Sequence, residues 1–315
     1  MLVKKINLVE NDVHATLTTY LLEDSTELLN GKKRPAIIVC PGGGYFNCSD
    51  REGEPVALKL NSMGYHAFVL RYNVYLEPDD DYMIVHQSET LEPKERTQFP
   101  KPMHDIAKAM LLIREHSEEW LVDVDRIGIC GFSAGGHNVL SYGVHWNHDL
   151  IQEAFNNVGK ALRPALVIAG YPISDYFAMR DYLDKKRPEG KAFFSKSSTV
   201  LFGTCTPSDE TLLLASPARQ VSKDTPPMFL WSTFGDQQVP IEQTTLMANA
   251  LADEEIPFAC HIFETGPHGL SVATQVSSDA QSKINLNVAK WMDLLETWLL
   301  ERFKLELPAK SWYEE

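Results

Sequence analysis

The stretch Arg126-Ile127-Gly128-Ile129-Cys130-Gly131-Phe132-Ser133-Ala134-Gly135 runs from a short apolar segment directly into a Gly-x-Ser-x-Gly turn. Helical sequence follows, from Gly136 to Tyr142. A serine between a buried strand and a helix is typical of a nucleophile elbow, whose sharp turn needs small flanking residues. The helix N-terminus adds free N–H groups and a favourable dipole. A bare Gly-x-Ser-x-Gly occurs by chance in many proteins, but this context predicts that Ser133 is a nucleophile.

On either side of this stretch, short apolar runs rich in β-branched residues alternate with longer amphipathic ones. Such runs are typical of strands buried on both faces, and helices between them imply parallel strands joined by right-handed crossovers. We therefore predict an α/β fold with a mostly parallel central sheet and helices on both faces. The predicted strands are 36–40, 66–70, 126–130, 165–169 and 228–231, and the predicted helices are 54–63, 105–116, 242–252 and 286–303.

Two segments break the alternation of strands and helices. Tyr75 to Phe99 is polar, acidic and aromatic, and Tyr176 to Val221 holds six aromatic residues among lysines. Long excursions of this kind in a compact enzyme are usually lids or substrate walls, although a plain packed insertion has the same pattern. We expect a single domain over residues 1–315, with 176–221 as a cap insertion within it.

A glycine-rich turn closes the first predicted strand, in the sequence Pro41-Gly42-Gly43-Gly44-Tyr45. Acyl transfer needs backbone N–H donors about 3 Å from a developing oxyanion, and glycine lets the backbone approach a substrate that closely. We expect Ala134 to supply one N–H and Gly43 or Gly44 to supply the other. An ordinary glycine-rich turn remains the alternative, whereas a phosphate cradle would need a different spacing or a P-loop lysine.

An acid and a base follow late in the chain, each just after a predicted strand. Asp236 lies in Gly235-Asp236-Gln237-Gln238, and His268 lies in Gly266-Pro267-His268-Gly269. A carboxylate past a strand end can hold the tautomer of a histidine base, and the order Ser, Asp, His is the one found in hydrolases with a nucleophile elbow. Asp236 is preferred to Asp224, in a turn, and to Asp253, on a helix.

The four motifs in this order resemble the α/β-hydrolase esterases of the acetyl-xylan-esterase-like and feruloyl-esterase-like group, relatives of the hormone-sensitive-lipase family. The resemblance covers about residues 34 to 275, from PGGGY through GFSAGGH and GDQQVP to HGL. It implies hydrolysis of small carboxylic esters, often of carbohydrate, through an acyl-enzyme and without a cofactor. Pro41 stands where the family commonly has histidine, but the glycine N–H groups are retained.

The amino-acid composition limits the classes of binding partner that the chain is expected to have. The chain has 43 acidic and 29 basic residues, a net charge of −14, which disfavours nucleic acid and anionic membranes as partners. We expect a small ester as substrate and no bound metal. Five scattered cysteines without paired spacing suggest free thiols in the cytoplasm, and the start of the chain lacks the apolar run of a secretory signal. The sequence leaves a homodimer open.

Some polar residues near the motifs are interpreted as structural. His137, one turn after Ser133, is expected to be a hydrogen-bonded residue of a buried helix. Asp105 is expected to be an N-terminal charge at a helix start. His145 and His148 have helical spacing but no third ligand nearby, which disfavours a metal site.

Two other functions share these motifs. A serine peptidase uses the same three groups, although peptidase relatives carry a propeller domain for which this chain has no room. A catalytically silent hydrolase scaffold that acts as a binding protein usually lacks the serine, the histidine or the oxyanion glycines, and this chain has all of them.

Overall fold

The computed structural model describes residues 1–311 and 313–314 and contains one eight-stranded sheet. The strands are β1 (Leu2–Asn7), β2 (Thr16–Leu21), β3 (Arg34–Cys40), β4 (His66–Arg71), β5 (Val122–Phe132), β6 (Val167–Gly170), β7 (Met228–Thr233) and β8 (Phe258–Phe263). Their order in the sheet is β1-β2-β4-β3-β5-β6-β7-β8. The pairs β1–β2 and β2–β4 are antiparallel, and every other neighbouring pair is parallel. The predicted fold class is confirmed.

Helices cover both faces of the sheet because the central strands carry apolar side chains on both. The helices are α1 (Glu54–Ser62), α2 (Met83–Gln87), α3 (Lys101–Glu115), α4 (Ser133–His145), α5 (Asp149–Gln152), α6 (Tyr176–Lys185), α7 (Lys191–Phe202), α8 (Asp209–Leu214), α9 (Glu242–Asp253), α10 (Leu286–Ala289) and α11 (Trp291–Leu300). In β3, Ile38 and Cys40 belong to the core beneath α3, α4 and α9, whereas Ile37 and Val39 belong to the core beneath α1 and α11.

The strands β1 and β2 were not predicted. The side chains of β1 are mostly exposed, and three of the six residues of β2 are threonines, so neither strand forms a continuous apolar run. The edge strand β1 faces solvent, which weakens its hydrophobic pattern. β2 is buried between β1 and β4, and its threonines are what hide it from a search for apolar runs.

The start of α3 differs from the prediction. The helix begins at Lys101, with Pro102 in its first turn, where proline is favoured. Asp105 therefore lies in the second turn, fully buried, and accepts hydrogen bonds from the backbone N–H and the side-chain amide of Asn73 at 2.9 and 2.8 Å. The expectation that Asp105 is an N-terminal charge at the helix start is wrong: it joins α3 to the chain after β4, with Lys108 as its counter-ion at 2.8 Å.

Both excursions leave the end of the sheet where the parallel strands have their carboxyl ends. The first carries α2, and the second, between β6 and β7, carries α6, α7 and α8. They contact each other, because Lys196 donates to the carbonyl of Val85 at 2.8 Å. Among the residues that the structure describes, no helix combines the length and the apolar character needed to cross a membrane.

Candidate active site

Ser133 lies at a turn between β5 and α4 that only small neighbours allow. A Cβ on Gly131 would lie 2.2 Å from the carbonyl oxygen of Gly135, and one on Gly135 would lie 2.1 Å from that of Cys40. Ser133 itself has a φ of +52°, an uncommon backbone state for a residue with a side chain. The strain is typical of a functional position, and the two glycines explain why the turn can be so tight.

Three predicted side chains form one hydrogen-bonded chain. The Nε2 atom of His268 is 2.8 Å from the Oγ of Ser133, and its Nδ1 atom is 2.6 Å from the Oδ2 of Asp236. The other oxygen of Asp236 accepts from the backbone N–H groups of Gln238 and Val239 at 2.9 and 3.0 Å. The carboxylate therefore has partners at both oxygens and favours the histidine tautomer that carries its proton on Nδ1.

The strand ends explain why residues far apart in sequence meet here. Ser133 follows β5, Asp236 follows β7 and His268 follows β8, and these strands run parallel in one sheet. Loops after the carboxyl ends of parallel strands lie at the same edge of a sheet. Asp224, the rejected alternative, accepts instead from the side-chain amide of Asn147 at 2.8 Å.

The glycine-rich turn presents two backbone N–H groups beside Ser133. The N–H of Gly42 donates to Glu52 at 2.7 Å, whereas no residue in the described ranges accepts from Gly43 or Gly44. Both of these glycines have positive φ angles, +133° and +64°, which explains the residue type. Ala134, in the first turn of α4, belongs to the helix positions whose N–H lacks an intrahelical partner.

A cavity of about 600 Å³ lies over these groups. Its floor is lined by Ser133, His268, Gly43 and Gly44. The term cavity base is used here for these four residues together with the groups that hold them, Asp236, Gly131 and Gly135. The walls of the cavity come from α2, from α6 and α7, and from the segment between α6 and α7. The cavity walls include Tyr82, His86, Leu183, Arg187, Phe193 and Phe194.

Two buried residues of the site were missed by sequence reasoning. Glu52, in a short 3-10 helix, accepts from the N–H of Gly42 and from the hydroxyl of Tyr171, each at 2.7 Å. Tyr171 follows β6 and sets its ring edge against His268, with ring centroids 5.0 Å apart. Neither residue belongs to a periodic pattern or a motif, so the only signal was the position of Tyr171 directly after a predicted strand.

His137 has the structural role that was predicted. Its Nε2–H donates to the carbonyl of Ala215 at 2.8 Å, and its Nδ1 accepts from the hydroxyl of Tyr45. Burial lowers the pKa of His137 to about 4, so the ring is neutral near pH 7. His145 likewise donates to Leu214, and within 1–311 and 313–314 no group of three or more His, Cys, Asp or Glu side chains is arranged to hold a metal ion.

Comparison with known proteins gives a family. Residues 27–251 match the BD-FAE family. Endo-1,4-beta-xylanase B of Butyrivibrio fibrisolvens is 35% identical over 241 residues, which cover 76% of this chain and 33% of that protein. The chain thus spans a third of the length of this curated relative, and about half of the length of the next two, 49% and 52%.

Solved structures match over nearly the whole chain. The acetyl ester-xyloside bifunctional hydrolase of Caldicellulosiruptor lactoaceticus is 31% identical with a TM-score of 0.70, and covers 95% of this chain and 96% of its own. MGS-M1, an alpha/beta hydrolase enzyme from a Medee basin deep-sea metagenome library, is 31% identical with a TM-score of 0.69, and covers 97% and 99%. These matches confirm the family resemblance and the fold that the four motifs predict. The chain is an α/β hydrolase and belongs to the BD-FAE family.

Proposed function

We propose that this chain is a serine carboxylesterase that cleaves short acyl esters, acetylated carbohydrate among them, through an acyl-enzyme. The observation that carries the proposal is the hydrogen-bonded chain from Ser133 through His268 to Asp236 at the base of a cavity that Gly43 and Gly44 also line. A serine next to a base that is itself oriented by a carboxylate is the arrangement of an activated nucleophile.

The proposed reaction has two matched halves. The Oγ of Ser133 attacks the ester carbonyl carbon as its proton passes to Nε2 of His268, and Asp236 stabilises the imidazolium. The oxyanion accepts hydrogen bonds from Ala134 and from Gly43 or Gly44. The tetrahedral intermediate then breaks its bond to the alcohol oxygen, which takes the proton from His268. Water, deprotonated by the same histidine, attacks the acyl-enzyme and releases the acid and the free serine.

The substrate class is supported by the shape of the site and by the relatives. One solved relative is named as an acetyl ester-xyloside hydrolase and one curated relative as a xylanase. The insertion 176–221 is proposed to act as a cap, since Leu183, Phe193 and Phe194 line the cavity that contains Ser133. A cap that mixes aromatic and polar groups favours a small acyl group on a polar alcohol, because a lipase would need a wide apolar face.

The test combines a fluorophosphonate probe with p-nitrophenyl esters of increasing chain length and with acetylated xylo-oligosaccharides. We expect stoichiometric labelling of Ser133 and hydrolysis that falls about a thousandfold or more in both Ser133→Ala and His268→Ala, because these groups act as a unit. Ser62→Ala, at the exposed end of α1, is the control and should keep full activity. Retention of a tenth of the activity by Ser133→Ala would disprove the mechanism.

Peptide p-nitroanilides, added to the same panel, separate the other two functions. A peptidase would hydrolyse these amides, which the proposed esterase should leave intact, and a silent scaffold would not be labelled by the probe. Labelling without hydrolysis of any ester in the panel would retain the activated serine but reject the proposed substrates.

A further inference from the structure

The strongest unexplained feature near the site is a buried carboxylate that the proposed reaction does not use. Glu52 is 3% exposed. A Cβ placed on Gly42 would lie 2.8 Å from both the Oε2 of Glu52 and the Cβ of Ser133, so the carboxylate and the nucleophile flank the same glycine. A carboxylate is buried at a high cost in free energy unless its hydrogen bonds are satisfied. The partners of Glu52 therefore show what its burial achieves.

One oxygen of Glu52 fixes the glycine-rich turn. It accepts from the N–H of Gly42 at 2.7 Å, while the carbonyl of Gly42 accepts from the N–H of Ser49 at 2.8 Å. The carbonyl of Gly42 lies in the same peptide plane as the N–H of Gly43, so its hydrogen bond holds that N–H in place. By holding the N–H of Gly42, the carboxylate anchors the turn that carries the candidate oxyanion donors of Gly43 and Gly44.

The other oxygen reaches the histidine loop through Tyr171. Its hydroxyl donates to Glu52 at 2.7 Å, and its oxygen accepts from the N–H of Ser271 at 2.9 Å. Ser271 is three residues past His268. Burial, with the nearby Glu52 charge second, raises the pKa of Tyr171 well above its ordinary value, so the hydroxyl keeps its proton as the donor.

We propose that Glu52 and Tyr171 are positioning residues that form one bridge between the oxyanion turn and the loop of the catalytic histidine. The bridge runs from Gly42 through the carboxylate and the phenol to Ser271, and the ring of Tyr171 also packs edge-on against His268. The bridge fixes the distance between the oxyanion turn and the histidine loop. Proton transfer and oxyanion stabilisation can therefore act on the same bound carbonyl. The inference rests on the proposed function.

The test measures kcat per active site for Tyr171→Phe, Glu52→Ala, Glu52→Gln and the double variant Glu52→Ala/Tyr171→Phe. Active sites are counted by fluorophosphonate labelling, which removes unfolded protein from the comparison. Misplacement of reacting groups by about 1 Å can cost about a hundredfold, so Glu52→Ala should lose about that much in kcat with KM within about threefold. Glu52→Gln, which still offers an acceptor to Gly42, should recover to within about tenfold of the unmodified protein.

Non-additivity identifies the bridge. Because either substitution alone breaks the bridge, the double variant should have a kcat no lower than that of Glu52→Ala. If the two residues acted independently, their fold-losses in kcat would multiply. Tyr142→Phe is the matched control, since it removes another buried phenol that donates to a backbone carbonyl, that of Leu162 at 2.7 Å, far from the site. Normal kcat per labelled site in both Tyr171→Phe and Glu52→Ala would overturn the proposal, and so would losses that multiply.

A substrate-independent readout keeps this result apart from the proposed function. The rate constant for phosphonylation of Ser133 should fall in the same order among the variants, because the reaction uses the same serine, base and donors. If the protein hydrolyses no ester but is labelled, the proposed function fails and the bridge is still tested by this rate. If Glu52→Ala does not fold, Tyr171→Phe and Glu52→Gln decide the proposal by the same two measurements.

Discussion

Backbone atoms set the cavity base, whereas side chains set the cavity walls. At the base, Gly131 and Gly135 have backbone neighbours where a Cβ would stand, and Asp236 is held by two backbone N–H groups. In the walls, single side-chain contacts hold the helices, such as the hydroxyl of Ser197 on the carbonyl of Gly44 at 2.9 Å. The base should therefore tolerate almost no substitution, while the walls should change specificity without loss of the reaction.

The largest loss of folding and activity is expected where the cavity base has no space for an added Cβ. Gly135→Ala places a Cβ 2.1 Å from the carbonyl oxygen of Cys40 and 2.4 Å from that of Pro41, both backbone atoms. We expect no folded, labelled protein, as measured by circular dichroism and fluorophosphonate labelling. Gly159→Ala, with nothing within 4 Å and a φ of +64°, is the control and should cost only roughly 1–2 kcal/mol of stability. A Gly135→Ala protein that unfolds and reacts normally would contradict the rigidity of the base.

The second prediction removes a charge from the base without changing its shape. Asp236→Asn should lower kcat about a thousandfold or more, because the amide no longer favours the tautomer that accepts the serine proton. The folded structure should be retained, as judged by thermal unfolding. Asp224→Asn, which changes a carboxylate that binds Asn147, should leave kcat unchanged. Equal effects of the two substitutions would show that Asp236 is not the orienting acid.

The third prediction concerns a buried histidine that connects the cavity base to the insertion that forms the cavity walls. His137 connects α4 to Ala215 of the insertion, and burial lowers its pKa to about 4, as it does that of His66. Since the unfolded chain binds the proton more readily, each histidine contributes stability that is full above about pH 6.5 and is lost as pH falls toward about 4. The loss is up to about 3 kcal/mol for each, about a hundredfold in the folding constant.

Urea unfolding between pH 4 and pH 8 measures this loss. The stability of His137→Gln should depend less steeply on pH over the lower part of that range, although its stability at pH 7 is reduced. His86→Gln is the control, because His86 is an exposed residue of α2. This variant should retain the pH dependence of the unmodified protein. An unchanged slope in His137→Gln would mean that the ring can be protonated in place.

The smallest effect is expected in the walls. Leu183 and Phe194 line the main cavity and also a second one of about 290 Å³, so they stand at the boundary between the two. The unmodified protein should prefer acetyl or propionyl esters, with a steep fall by octanoyl. Phe194→Ala should raise the octanoyl to acetyl ratio of kcat/KM about tenfold, since a buried methylene is worth about 0.8 kcal/mol and two suffice.

Phe258→Ala, on the edge strand β8, is the matched control and should leave that ratio unchanged. Because only the walls are altered, acetyl hydrolysis by Phe194→Ala should stay within a few-fold of normal. If the unmodified protein already prefers octanoyl or longer esters, the small-acyl proposal fails. If Phe194→Ala loses all hydrolysis, the walls are as constrained as the base, and the contrast between them does not hold.

The same contrast explains what could be predicted from the sequence. The elbow and the central strands could be predicted because sterics allow few residue types there, as at Gly135 and Ile38. The bridge through Glu52 and Tyr171 could not, since a buried carboxylate looks like any other glutamate until its partners are known. Asp105 was misplaced for a related reason: its burial depends on Asn73, 32 positions away in sequence.

The two ends of the wall-forming insertion lie side by side. The N–H of Ala218 donates to the carbonyl of Ser174 at 2.9 Å. The N–H of Tyr176 donates to the hydroxyl of Ser216 at 3.0 Å. An inserted chain of almost any length can therefore start and finish at these points without stretching the sheet. The segment between β6 and β7 is in this sense an exchangeable cassette, and transplanting another in its place would create new selectivities on an unchanged reaction, provided that the contact from His137 to the new backbone is rebuilt.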